Sequence, residues 1–165
     1  MTQKEYNNGV RLWADDVYRY AVQCCGDREQ SKDLVQDAFE ALWKNRSRVE
    51  GPKGKSFLLS VVHNKSMSLL RHAVVHESVM AEMPQEIQAH PDERFDLREA
   101  LQQALSQLPP IQREALQLKD VEGYSCQEIA EILAISETQV TVYLYRARVT
   151  MKRYLIALGY DNNNR

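Results

Sequence analysis

The sequence predicts an all-α protein made of two small helical domains. Three observations carry that prediction. Apolar residues recur at three- and four-residue spacing through 9–25, 31–43, 56–72, 97–108 and 111–118, the period of a helix buried on one side. Two S-x-x-E/Q capping boxes, at Ser125 and Ser136, open two successive segments. No segment shows the apolar–polar alternation of a half-buried strand.

Bulk properties narrow the function. The 165 residues suffice for one ordinary domain or two small ones. A net charge of −2 and a pI of about 6.1 exclude a globally basic nucleic-acid coat. The charge is uneven, however. Residues 1–72 hold twelve Lys/Arg against nine Asp/Glu, residues 73–95 one against five, and residues 96–165 eight against nine. The acidic middle contains Pro84 and Pro91 and loses helical periodicity, so it reads as a linker or as a shield for basic surfaces. Neither a signal peptide nor an apolar run of membrane length is evident, which predicts a cytoplasmic protein. Cys24, Cys25 and Cys126 are odd in number and lack metal-ligand spacing, as in a reducing compartment.

Residues 9–25 form one amphipathic segment, with Leu12, Val17, Tyr20, Ala21 and Cys24 as candidate core contacts, ended by Gly26-Asp27. From Ser31 to Trp43, Leu34, Val35, Ala38, Ala41 and Leu42 share one side. Asp33, Gln36, Asp37 and Glu40 share the other, an acidic row that serves either as a solvated face or as a docking face. Lys44, Arg46, Arg48, Lys53 and Lys55 follow on a helix end and a Gly/Pro-rich loop, a pattern shared by phosphate-tracking patches and by soluble loops. From Ser56 to His72 the pattern is helical again, with Leu58, Val61, Val62 and Leu69 inward. His63, Asn64, Met67 and Arg71 fall outward, a donor-rich row suited to exposed bases or to water. His72 and His76 lie four apart and could share a ligand face on a helix, but no nearby acid or Cys pair joins them. No catalytic residue, cofactor or small-molecule substrate is therefore expected. Leu97, Leu101, Leu105 and Leu108 mark a helix up to Pro109, and Pro110 opens the next, which runs to Gly123.

The stretch from Ser125 to Tyr154 is the most informative. Ile129, Ala130, Ile132 and Leu133 make the apolar face of a short capped helix, and Ala134-Ile135 turns the corner. In the following helix Val140, Leu144, Ala147 and Met151 point inward. The opposite side carries Thr138, Thr141, Val142, Tyr145, Arg146 and Val149, and Arg148, Lys152 and Arg153 add positive charge. Such a pair is either a helix-turn-helix DNA reader or an ordinary helical hairpin.

The order of these parts resembles a bacterial sigma factor of the extracytoplasmic-function group, reduced to regions two and four. Asp33-Leu34-Val35-Gln36-Asp37-Ala38-Phe39-Glu40-Ala41-Leu42-Trp43 is similar to the family's polymerase-binding helix. Phe57-Leu58 through Asn64 to Leu69-Leu70-Arg71 is similar to its promoter-melting helix. Leu105 to Glu114 is similar to its "L-x-x-L-P-x-x-x-R-E" motif, and Ile129–Leu133 with Arg146-Ala147-Arg148 completes region four. Ala134 stands where the family has a turn glycine, which predicts strain of up to about 1 kcal/mol if that residue is left-handed. Thr138 to Tyr143 replace a stretch that usually offers two charges, and His63, Ser68 and His72 replace other charged positions.

The resemblance implies region two at 1–72, a linker at 73–95 and region four at 96–165. It implies that Asp33, Gln36, Asp37 and Glu40 dock on the β′ subunit of core RNA polymerase, and that residues 97–118 dock on the β subunit. It implies that Lys44, Arg46, Arg48, Lys53, Lys55, Asn64 and Arg71 hold the opened minus-ten strand of promoter DNA. Thr138, Thr141, Val142 and Tyr145 would then face minus-thirty-five bases, with Arg146, Arg148 and Lys152 on phosphates. An anti-sigma factor is implied as a further partner. A helix-turn-helix regulator acting without polymerase is the alternative.

Overall fold

The computed structural model describes residues 1–76 and 97–160. Its helices are α1 (Gln3–Cys25), α2 (Arg28–Asn45), α3 (Gly54–His76), α4 (Leu97–Ser106), α5 (Pro110–Leu116), α6 (Cys126–Leu133) and α7 (Glu137–Ala157). Among the described residues no strand occurs. The segment read as a linker lies mostly outside the described residues, although α3 runs on to His76.

Local chemistry sets most helix ends. α1 starts earlier than the apolar periodicity indicated, because Thr2 and Glu5 form a reciprocal capping box. Gly26 closes α1 in the left-handed conformation at φ 70°, and the Asp27 side chain then caps α2 by accepting from Gln30 N–H. The Ser125 and Ser136 boxes both form, opening α6 and α7. α5 widens into a π-helical turn at Gln117–Val121, after which Gly123 reverses the chain at φ 77°.

α1, α2 and α3 pack on one another, and α4, α5 and α6 each pack on α7. The halves also meet: α3 packs on α6 and α1 on α5, so one buried apolar cluster runs from Val17, Leu42 and Leu58 through to Ile129 and Leu144. The Trp13 ring lies so close to Gly9 and Gly54 that a Cβ at either would come within 2.4 Å and 2.6 Å of it. Two glycines thus let α1 grip the start of α3, so Lys55 sits in the first turn of that helix and not on the loop the sequence indicated, with Lys53 just before it.

Three expectations fail. Leu12 is 71% exposed, because it lies about 140° around α1 from Val17 and so misses the inner stripe. Leu69 is 45% exposed. His63 is buried rather than outward, since α3 has a second inner side that faces the other half. A helix buried on two sides has no single stripe from which to read its orientation.

Ala134 caps α6 at φ 53°, ψ 45°, a left-handed conformation that crowds its Cβ. Ala134→Gly is expected to raise unfolding free energy by about 0.5–1 kcal/mol. Urea unfolding of both proteins checks this; an unchanged or lower midpoint would mean that the corner stores no strain.

Candidate polymerase and nucleic-acid interfaces

The acidic row lies on the outer face of α2. Asp33, Gln36 and Glu40 are exposed and Asp37 is half-buried. Lys65 on α3 pairs with Asp37 at 2.8 Å, and Lys44 pairs with Glu40 at 2.5 Å. All four of these side chains keep 45% or more of their surface in water, so each pair is worth about 0–1 kcal/mol and is easily exchanged for a partner's charges. Lys65 was not legible as a neighbour of this row, since their contact is made only when α2 and α3 pack.

The basic segment divides. Arg48 and Lys53 are exposed, and Arg46 stacks over the Trp43 ring at 4.0 Å while donating to the Trp43 carbonyl. Lys55 turns the other way. Its Nζ donates to Asp16 at 2.7 Å and to Glu122 of the second half at 2.8 Å. Burial works to lower the Lys55 pKa, but the two carboxylates outweigh it and hold the ammonium above its ordinary range. The Lys55 hydrogen bond likewise holds Asp16 below the usual carboxylate range. Asn64 and Arg71 are exposed on α3, apart from Lys55's partners.

Where the halves meet, the Glu114 side chain is fully buried. Its Oε2 accepts from the Tyr20 hydroxyl at 3.1 Å and shares a hydrogen bond with His63 Nδ1. Burial, first, and the nearby Cys24 and Glu114 push the Tyr20 phenol well above its ordinary range. Sequence reasoning missed this cluster. The one available signal was a charged residue, Glu114, set directly before the apolar Ala115, Leu116 and Leu118.

α6 and α7 build a helix-turn-helix. Val140, Leu144 and Ala147 are buried, Met151 is half-buried, and Thr138, Thr141, Val142, Tyr145 and Arg146 are exposed. Tyr145 keeps 70% of its surface and Val142 38%. The Thr141 hydroxyl donates back to the Glu137 carbonyl at 3.2 Å, so its proton is already engaged within α7. A shallow hollow of about 450 Å³ adjoins this face, lined by Lys119, Thr141, Tyr145, Arg148, Val149 and Lys152 among others. Arg148 pairs with Asp120 at 3.1 Å, both being about half exposed. Among the described residues no group of three His, Cys, Asp or Glu is placed to hold a metal, and no helix is long and apolar enough to cross a membrane.

Comparison with known proteins agrees with this geometry. Residues 10–74 match Sigma-70 region 2 and residues 98–151 match Sigma-70 region 4. The chain is 30% identical over 155 residues to the ECF RNA polymerase sigma factor SigE of Mycolicibacterium smegmatis, covering 88% of this chain and 60% of that one. It is 30% identical over 147 residues to the ECF RNA polymerase sigma factor SigM of Mycobacterium tuberculosis, covering 88% of this chain and 73% of that one. Its fold is that of the sigma factor RpoE of Bartonella quintana, solved in complex with the anti-sigma factor NepR. The TM-score there is 0.75 at 23% identity, over 93% of this chain and 98% of that one. The chain belongs to the extracytoplasmic-function group of RNA polymerase sigma factors, the promoter-specificity subunits of the bacterial enzyme.

Proposed function

We propose that this chain directs core RNA polymerase to a dedicated promoter set, as a cytoplasmic subunit without catalysis of its own. Region two spans 1–72 and region four 96–165, with 73–95 as the linker. The observation that supports this best is the presence, on one chain, of a largely exposed acidic helix face within the region 2 match and a capped helix-turn-helix within the region 4 match. A stand-alone DNA regulator has use for the second feature but not for the first. The partners are core enzyme, through its β and β′ subunits, promoter DNA and an anti-sigma factor. Retention of the chain on purified core enzyme, followed by transcription from a random promoter library, tests the whole reading; no transcript above core enzyme alone would end it.

In this role Asp33, Gln36, Asp37 and Glu40 meet β′. Reversing Asp37 and Glu40 to Lys replaces two surface ion pairs with like-charge contacts, each costing the fold only about 0.5 kcal/mol. Affinity for core enzyme should nevertheless fall about tenfold or more in a competition assay with helicity retained. Undiminished affinity would take the row out of the interface.

Asn64, Arg71 and the Lys44–Lys55 segment hold the opened minus-ten strand. Extracting a base costs a few kcal/mol of stacking, so an exposed donor and a basic rim suit the task. Asn64→Ala is expected to reduce open-complex formation more on duplex promoter than on a pre-melted bubble. Equal losses on both templates would assign Asn64 to ordinary binding.

At minus thirty-five, Val142 and Val149 cannot donate hydrogen bonds, so thymine methyls are their natural groove contacts. Thr138 and Tyr145 add hydroxyls, and Arg146, Arg148 and Lys152 reach phosphate. With fewer cations than a relative that carries Lys or Arg at these positions, this face releases fewer counterions and depends less steeply on salt. Thr141→Lys should raise affinity on matched and scrambled duplexes alike and steepen the salt slope by about one phosphate. If neither duplex binds more tightly, this face does not lie on DNA.

A further inference from the structure

The junction between the halves carries a second cluster, at its rim. Lys55 Nζ donates to Glu122 Oε2 at 2.8 Å, and Arg19 Nη2 donates to Glu122 Oε1 at 2.8 Å. Asp16 completes the group, 2.7 Å from Lys55 and 2.9 Å from Arg19. The Glu122 side chain is only 2% exposed, although it directly follows the π-helical turn at the edge of the second half. Both of its oxygens are taken by cations of the first half. Arg19, by contrast, is 48% exposed and Lys55 21%, so an anion can reach them from solvent.

We propose that the Glu122 carboxylate acts as an internal stand-in for a nucleic-acid phosphate. In this arrangement single-stranded DNA and Glu122 compete for Lys55 and Arg19. The proposal rests on the assignment of Lys55 to the minus-ten strand. A phosphate that takes both cations leaves Glu122 desolvated and unpaired, an arrangement a protein does not tolerate without relaxing. Water reaches the carboxylate only when the second half moves away. Strand binding at Lys55 and separation of the halves are thus one linked equilibrium, and linkage makes the effect reciprocal: whatever parts the halves raises strand affinity. Asp16 stays with the two cations in either state and keeps them together. The Glu114 cluster lies deeper, closed to an incoming strand, and sets how firmly the halves rest when the rim is released.

The test uses the full chain, an end-labelled oligo-dT strand followed by fluorescence anisotropy at low salt, and solution scattering for the radius of gyration. Circular dichroism confirms that each variant is folded. Glu122→Gln should enlarge the radius of gyration and tighten oligo-dT binding by about fivefold or more, the ordinary scale of coupling between two linked equilibria. Lys55→Gln should also enlarge the radius but weaken binding, and the double variant should bind no more tightly than Lys55→Gln. Saturating oligo-dT should enlarge the wild-type chain. An unchanged radius for Glu122→Gln would overturn the proposal while leaving Lys55 as a DNA contact. A larger radius with unchanged affinity would overturn it by removing Lys55 and Arg19 from the DNA surface.

Discussion

A buried carboxylate governs how the molecule is put together. Glu114 has no exposed side-chain surface, and an isolated charge in such a place costs several kcal/mol. Its two polar partners, Tyr20 and His63, come from α1 and α3, on the far side of the junction. The second half therefore cannot satisfy its own core without the first. The apolar cluster runs through both halves around these bonds, and Glu122 meets Lys55 at the same junction.

Specific surfaces and tight packing are kept apart in this fold. The acidic face of α2 and the outward side of α7 hold their polar groups in exposed pairs or leave them in water, where exchange for a partner's groups costs little. The junction holds Glu122 in an ion pair with Lys55 and buries Glu114 in hydrogen bonds to Tyr20 and His63, where exchange is expensive. Lys55 belongs to both regimes. It is a member of the basic segment by position and of the junction by contact, so in the proposed role the arrangement of the halves and the availability of the minus-ten surface are not independent.

The reading of α7 also has a physical basis. In the proposed role, the exposed Tyr145 and Val142 add shape and apolar contact to the charge of Arg146, Arg148 and Lys152. In that role the two valines read groove methyls, while the cations beside them supply the phosphate attraction.

By itself the sequence determined whatever depends on neighbours within one or two turns. The capping boxes at Ser125 and Ser136, the inward stripe of Val140, Leu144 and Ala147 and the acidic row of α2 were all legible, because each is local, whereas the left-handed Ala134 was indicated only by the family's turn glycine. The Thr2–Glu5 box was written just as plainly and was passed over in favour of the apolar periodicity, which begins later. Only the tertiary structure decided the burial of His63, the partners of Glu114, and the capture of Lys55 and Arg19 by Glu122. Tyr20 and Glu114 are separated by 94 residues, and Lys55 and Glu122 by 67. No periodicity along a chain encodes such pairings; they exist because α3 is buried on two sides, and its second side is specified by residues of the other half.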